Sequence, residues 1–331
     1  MRCRLDGSAL EEVATGFWNP FDIKFTVDGR LMLTDNDPDS RGPNRLLEMV
    51  HGVDYGDKSL YGGSGLLPFV AWNAELVGTL PYAAPLGEAP CALLDAAFTG
   101  FGHDYQNNFL VNVWEEKNIV KIPMEDKGSS VQGVPQVLIQ GDTTFHPVAL
   151  VANSQGDLYV TNWVLRQYPN HGKGEIWRVR PKSRSSVVSS AGVNNYRFHD
   201  TPMSLDEIME QLNSDDPFLQ SIARWKLGRD ADYQQLMTLL DHQEAEVQLQ
   251  GILILQKHPQ PVDMERLSGL LNHSDHRLRQ AALFYIGTRQ VEEAMPSLTT
   301  ALKSGSITPE LFDSFLATVQ NLQPKFCLLY T

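Results

Sequence analysis

Among the residues able to do chemistry, the densest group lies between Thr34 and Gly56, TDNDPDSRGPNRLLEMVHGVDYG. Five acidic side chains there are interleaved with two prolines and three glycines. Asp37, Asp39, Gly42 and Glu48 fall at positions 1, 3, 6 and 12 of an EF-hand calcium loop. Position 5 is then Arg41, a cation where an oxygen ligand is required, and Pro38 and Pro43 bend the loop out of shape. The residues before it read as a strand, not as an entering helix. Two readings stay open at this point. Either the stretch is a connection whose Asp and Asn side chains hold its turns, or it is a loop at a channel mouth, where carbonyls and carboxylates could hold Ca²⁺.

Other reactive side chains are dispersed. His51, His103 and His146 each read as surface or turn histidines, and GFGHDYQNNF around His103 has no second ligand at metal spacing. Glu115 and Glu116 are adjacent, so on a strand they would point to opposite faces. His273 and His276 could share a helix face, yet with His242 they fall in polar turns where capping accounts for them. Cys3, Cys91 and Cys327 form no metal or redox motif and read as small buried hydrophobes.

The chain has 331 residues, enough for two cores, and 27 basic against 40 acidic residues give a net charge of −13. Such a charge repels phosphate backbones, so nucleic acid is a poor partner and none is expected, and the basic patch PKSR at 181–184 reads as solvated linker. No run of 18 apolar residues exists to span a membrane. The opening MRCRLDGSALEEV has neither an apolar core nor a cleavage site, and reads as strand and turn inside a domain.

The elements that must position these residues change period near residue 180. Before it come short β-prone runs (FDIKFTV, RLMLT, NFLVNVW, NIVKIPM, DLYVTNW, EIWRV) bounded by turn residues. NPFDIKFTVDGRLMLTDN and HPVALVANSQGDLYVTNW align at a spacing of 127, matching Pro20 with Pro147, Gly29 with Gly156, Leu31 with Leu158 and Thr34 with Thr161. APCALLDAAFTGFGHDYQNNFLVNVW is a divergent copy between them. Repeats of this kind predict β-propeller blades, and a ring needs about 4–8 of them. The expected fold is therefore an all-β partial propeller of about three blades, with earlier blades lying before Met1.

From Ser204 the apolar residues recur at helical spacing. LNSDDPFLQSIARWKL, LDHQEAEVQLQGILIL and LNHSDHRLRQAALFYI align. They share Leu219, Val247 and Leu278, then small Ala223, Gly251 and Ala282, then Leu227, Leu255 and Ile286. A large residue packs on a neighbouring helix while a small one allows close approach. With EEAMPSLTTALKSG and TPELFDSFLATVQ these make about four helix pairs, which resemble HEAT repeats. The polar turns SDDP, HQEAE and HSDH are expected to cap the second helix of each pair. The expected organisation is propeller blades over 1–182, a linker over 183–203 and an all-α HEAT-like solenoid over 204–331.

Three passages carry a family resemblance: NPFDIKF with DGRLMLTDN and PNRLLEMVHGVDYG; APCALL with NNFLVNVWEEKNIVKIPM; and HPVALVANSQGDLYVTNW with GEIWRVRP. Over about residues 3–182 the chain resembles the glucose/sorbosone dehydrogenase family of six-bladed quinoproteins. Its fusion to HEAT-like repeats is similar to large dehydrogenase-like proteins of some bacteria, of which this chain looks like a fragment. The resemblance implies oxidation of a sugar hydroxyl by hydride transfer to pyrroloquinoline quinone (PQQ), with a histidine base and with Ca²⁺ as Lewis acid.

It also implies that Ca²⁺ is bound by the carbonyls of Asp37 and Pro38, and that Asn19 contacts the quinone. Trp18 and His146 stand where the family commonly has arginine. A tryptophan can stack on a planar quinone and His146 can be cationic at low pH, but neither offers a bidentate fork. The catalytic base is expected before Met1, so this segment alone is expected to be inactive. A sugar-like substrate, a cytochrome c acceptor, a protein partner on the helices and an extracytoplasmic location complete the expectations. The alternative is a non-catalytic propeller–HEAT scaffold.

Overall fold

The computed structural model describes residues 1–39, 41–58, 68–188, 202–304 and 307–322. The mostly sheet amino-terminal part carries several antiparallel sheets and is followed by a helical region. Among the described residues no closed barrel or complete propeller is formed. Two compact units emerge. One comprises Met1–Gly16, Gly52–Leu80 and Pro202–Thr331, the other Phe17–His51 and Pro81–Thr201. Most of the expected linker, residues 189–201, lies outside the described residues, as does Cys327.

In the first unit a short parallel pair, β1 (Ala14–Thr15) with β5 (Val53–Asp54), stands apart from the blade-like sheets. The helices come as pairs: α1 (Leu205–Leu212) with α2 (Pro217–Asp230), α3 (Tyr233–Leu239) with α4 (Ala245–Leu255), α5 (Met264–Leu271) with α6 (His276–Arg289), and α7 (Met295–Ser304) with α8 (Pro309–Leu322). The second members stack in series, α2 on α4, α4 on α6 and α6 on α8. Val247, Leu278, Leu255 and Ile286 are buried as their spacing requires, while Leu219 is only half-buried.

The capping expectation holds for two turns of three. Asp216 accepts from the amides of Phe218 and Leu219, and Asp275 from that of Arg277. Glu244 makes no side-chain cap, since glutamate is not among the short side chains that reach back to those amides. The turns share a second contact instead. Ser214 Oγ, His242 Nδ1 and His273 Nδ1 each accept the amide two residues on, at 3.1, 3.1 and 3.0 Å. His242 and His273 are therefore turn acceptors.

The second unit holds three antiparallel sheets. The first runs β2 (Asn19–Phe25), β3 (Leu31–Asn36), β4 (Asn44–Glu48), β6 (Ala84–Leu86). The second runs β7 (Pro90–Asp95), β8 (Asn108–Val113), β9 (Asn118–Lys127), with β10 (Ser130–Gly133) and β11 (Gln136–Gln140) both pairing β9. The third is β12 (Pro147–Ala152), β13 (Leu158–Asn162), β14 (Glu175–Val179). Each first strand has a register shift just after its proline, at Pro20, Pro90 and Pro147, because a residue without an amide proton cannot continue the ladder.

Successive first strands pack on each other, β2 on β7 and β7 on β12. Thr34 Oγ1 donates to the Cys91 carbonyl of the second sheet (2.7 Å), and Asn112 Nδ2 donates to the Ala149 carbonyl of the third (3.2 Å). Cys91 is buried there, its thiol pushed up to about 12, mainly by desolvation and further by Asp22. Cys3 is exposed, contrary to expectation, because its segment contributes only an isolated bridge, Arg2 to Glu11.

Gly251 explains the small position of the helical repeat. A Cβ there would stand 2.8 Å from Leu239 Cβ. Gly269, on α5, would meet nothing within 4 Å. Overpacking costs about 1–3 kcal/mol, whereas replacing an open helical glycine by alanine gains about 0.5–1 kcal/mol. Gly251→Ala should thus lower the urea midpoint and Gly269→Ala should raise it. A midpoint that rises for both would refute the close approach of α3 and α4.

Candidate functional site

Asn19 and His146, both singled out by sequence, stand at the proline ends of the first and third sheets. In the first sheet Asn19 begins β2. Its amide donates to Asp35 Oδ1 at 3.0 Å, and its carbonyl accepts from Asn36 Nδ2 at 3.2 Å. In the third sheet the His146 amide donates to Asn162 Oδ1 at 2.6 Å. Asp35 and Asn162 are 127 apart, as are Asn19 and His146. The same repeat shift relates Thr34 and Thr161, whose hydroxyls accept from the amides of Asp22 (3.2 Å) and Ala149 (2.8 Å).

The hairpins match as well. Gly29 (φ +83°) and Gly156 (φ +79°) close the same turns. Their left-handed conformation is one that glycine adopts without steric cost. The repeat thus extends from residue identity to individual hydrogen bonds.

Charge is distributed differently in the two copies. Asp35 faces Arg45 across β3 and β4 in a pair with both side chains wholly buried, the guanidinium donating through Nε at 3.0 Å and Nη2 at 2.9 Å. Burial pushes the Asp35 carboxyl above its usual range, against the pull of Arg45. At the matching place in the third sheet Asn162 Nδ2 donates to Glu175 Oε2 at 3.1 Å. Towards the other end of the same strands, Arg30 binds Glu48 at 2.7 Å, while Asp157 in the equivalent place binds Arg178 with the signs reversed. Glu48 also accepts from Ser130 Oγ at 2.8 Å. That commitment removes Glu48 from any calcium loop.

The loop after β3 is self-contained. The Asp37 amide donates to Asn44 Oδ1 at 2.7 Å, and Asp37 Oδ1 accepts from the Asp39 amide at 2.9 Å. A Cβ on Gly42 would lie 2.9 Å from Asp37 Oδ2. The carboxylate of Asp37 therefore folds over its own loop. Among the described residues no group of three or more His, Cys, Asp or Glu side chains is arranged to hold a metal ion.

Trp18 is about half exposed beside Asn19, whereas His146 is 1% exposed. His146 Nδ1 lies 3.1 Å from the Val164 carbonyl, a contact that requires the proton on Nδ1. Its Nε2 is buried and has no hydrogen-bond partner among the described residues. Val164 is held at φ +76°, a conformation costly for a β-branched residue. Trp114 packs on the imidazole at 4.7 Å between ring centroids, and Tyr168 stacks on Trp114.

Sequence reading missed this aromatic stack, because its members come from three separate turns. On a strand, Glu115 and Glu116 would point to opposite faces. They lie in the turn between β8 and β9, where Glu115 takes Arg166 Nε at 2.7 Å. Through Asn36 the structure brings Asn19 beside the Asp37 loop. It sets His146 at the repeat-equivalent position, with no described contact to Trp18 or Asn19.

The helical unit has a separate cleft of about 350 Å³, lined in part by Trp225, Arg224, Lys257 and Phe284. Burial lowers the Arg224 guanidinium to about 10, partly offset by Glu246. Its nitrogens are engaged by Gln250 Oε1 (2.6 Å), Ser221 Oγ (2.5 Å) and the Gly78 carbonyl (3.3 Å). Arg224 is therefore part of the cleft wall.

No protein-family model and no curated protein matches the sequence. Among solved structures, an oxidoreductase described as a glucose dehydrogenase from Thermus thermophilus is similar at 16% identity and a TM-score of 0.40, over 52% of this chain and 48% of its own. A second glucose dehydrogenase gives 16% identity and 0.37, over 53% and 49%. The soluble aldose sugar dehydrogenase of Escherichia coli gives 17% and 0.36, over 48% and 46%. The chain spans about half the length of each.

The Asp35–Arg45 pair offers a direct test of the site's frame. Asparagine at 35, as nature uses at 162, keeps an acceptor for the Asn19 amide but removes the charge opposite Arg45. Breaking a buried pair from one side costs about 3–5 kcal/mol, and removing both charges costs far less. Asp35→Asn should therefore destabilise strongly in a urea titration, and Asp35→Asn with Arg45→Met should recover most of the loss. Equal stability of Asp35→Asn and wild type would show that the pair does not hold the first sheet.

Proposed function

We propose that the sheet unit is a segment of a sugar-dehydrogenase-like propeller of the quinoprotein type, with Trp18, Asn19 and His146 on the cofactor side and the carbonyls of Asp37 and Pro38 on the calcium side. Residues 1–182 would be the propeller-derived module, 183–203 the linker and 204–331 a HEAT-like platform for a protein partner. The parent protein would oxidise a sugar hydroxyl outside the cytoplasm and pass electrons to a cytochrome c. The observation that carries this reading is the shared construction at Asn19 and His146. Each precedes a proline, each amide is caught by a side chain on the next strand, and each sits at the same end of its sheet.

The donor set suits only part of such a cofactor. Trp18 presents an exposed aromatic face, and the buried Nε2 of His146 lacks a partner among the described residues. None of the five named residues is an arginine or a lysine, so the carboxylates of PQQ find no fixed cation among them. These residues alone do not fit the whole group, and no reaction step is assigned to them. The same observation favours a second reading, a non-catalytic scaffold that keeps the sheets and has lost the quinone.

Titrating the full chain with PQQ and Ca²⁺, followed by tryptophan fluorescence and calorimetry, separates the two. The dehydrogenase reading expects saturable binding, weakened about 2–10-fold by Trp18→Ala through loss of one aromatic stack, and weakened again by calcium chelation. Absence of saturable binding in the folded protein would decide for the scaffold.

A further inference from the structure

We propose that the cleft in the helical unit binds a small organic carboxylate with a flat apolar body, and that Arg224 receives the carboxylate. The inference does not depend on the redox reading of the sheets. The described walls of the cleft all belong to one compact unit: α2, the end of α4, α6, and parts of Met1–Gly16 and Gly52–Leu80.

Every charge lining the cleft has an opposite partner except the one on Arg224. Lys257 Nζ lies 3.3 Å from Glu12 Oε1, Arg229 Nε lies 2.6 Å from Asp230 Oδ1, and Asp54 is taken by Lys58. His258 stacks on Tyr233, and its Nδ1 accepts the Gln260 amide at 3.2 Å. Arg224 has only neutral partners: the side-chain oxygens of Gln250 and Ser221, both buried, and the Gly78 carbonyl. No carboxylate among the described residues forms an ion pair with it. Glu246 acts on it from a distance, being joined to it through Gln250 and itself bound by Arg277 at 2.9 Å.

A guanidinium offers five N–H donors. The three contacts of Arg224 occupy at most three, so two are left without an acceptor among the described residues. A charge withdrawn from water is ordinarily paired, and here desolvation outweighs what Glu246 returns. An anion in the cleft supplies the missing partner. A carboxylate suits the planar fork, to which it presents two acceptors side by side.

The walls set the rest of the ligand. Trp225 on α2 and Phe284 on α6 line the cleft with Leu76, Val77, Leu253 and Ile254. The indole is fixed in place. A Cβ on Gly52 would come within 2.5 Å of its Cδ1, and the Arg229 guanidinium lies 4.8 Å from its ring centre. Phe284 packs on Phe69 at 5.2 Å between ring centroids. A volume of about 350 Å³ falls within the range of small-molecule sites, about 300–1,000 Å³, and rigid aromatic walls favour a flat apolar body. Inorganic phosphate would bring no apolar surface to these walls, and up to two charges to one unpaired cation.

The test is calorimetry on the full chain with three probes: phenylacetate, its neutral amide phenylacetamide, and inorganic phosphate. Phenylacetate should bind saturably and one-to-one, with a dissociation constant below about 1 mM. The amide and phosphate should bind roughly tenfold more weakly or worse, since the amide loses a charge-assisted hydrogen bond and phosphate loses the apolar contact. Arg224→Met should abolish the preference for acid over amide. Arg224→Lys, which keeps the charge without the fork and serves should the methionine variant not fold, should weaken phenylacetate roughly tenfold. Trp18→Ala, in the sheet unit, should leave phenylacetate binding unchanged, which separates this site from the one proposed there.

Absence of saturable phenylacetate binding by the folded chain would overturn the proposal. So would equal affinity for the amide, tighter binding of phosphate, or loss of binding in Trp18→Ala. An Arg224→Lys or Arg224→Met variant that binds phenylacetate as the wild type does would overturn it as well.

Discussion

A sheet that is apolar on both faces has to be covered on both, and most of the architecture in the first of the chain's two sequence halves follows from that requirement. Leu93 and Leu94 are neighbours on β7, so their side chains leave opposite faces of the second sheet, and both are buried. At roughly 25 cal/mol for each Å² of apolar surface withdrawn from water, a leucine exposed on either face would forgo about 1.5–3 kcal/mol. The proline-induced register shifts serve the same end. They displace the start of each first strand without disturbing the alternation further along, so the faces that meet the neighbouring sheets stay in phase. Side-chain donors from Thr34 and Asn112 then tie the sheets where apolar contact alone would allow sliding.

The repeat keeps geometry more strictly than charge. Asp35 and Asn162 both catch the amide before a proline, and that task needs only a carbonyl-type oxygen at the right distance. What lies behind that oxygen is free to differ: a guanidinium in one copy, a glutamate in the other. Arg30 with Glu48 and Asp157 with Arg178 go further and exchange signs across the same two positions. A buried ion pair contributes little net stability once desolvation is counted, but an unmatched charge costs several kcal/mol. Complementarity within each pair is therefore constrained, and the choice of which strand carries the cation is not.

This division explains what could be read in advance. Identities repeated at one spacing, such as Pro20 with Pro147 and Gly29 with Gly156, report backbone requirements directly, and so the strands, hairpins and helix pairs were legible. Ala223, Gly251 and Ala282 likewise announced a close helix approach, which the Leu239 contact bears out. The failed cap at Glu244 was not legible, because a polar turn resembles a capped one in composition alone. Nor was the environment of His146. Its partners Trp114, Tyr168 and Val164 come from turns on two sheets, and only the folded chain shows that the imidazole is enclosed instead of lying at the surface.

That enclosure sets the terms for any ligand on this side of the sheets. An imidazole with Nδ1 committed to the Val164 carbonyl has Nε2 left as an acceptor, so the group that completes it must bring a proton to donate, such as a hydroxyl, an amide or a water. A carboxylate, which only accepts, brings no proton to that acceptor. Trp18 imposes no such demand, since its exposed ring offers a face to any flat molecule. His146 Nε2 thus calls for a donor, whereas Trp18, with no described contact to His146, requires no more than a flat surface.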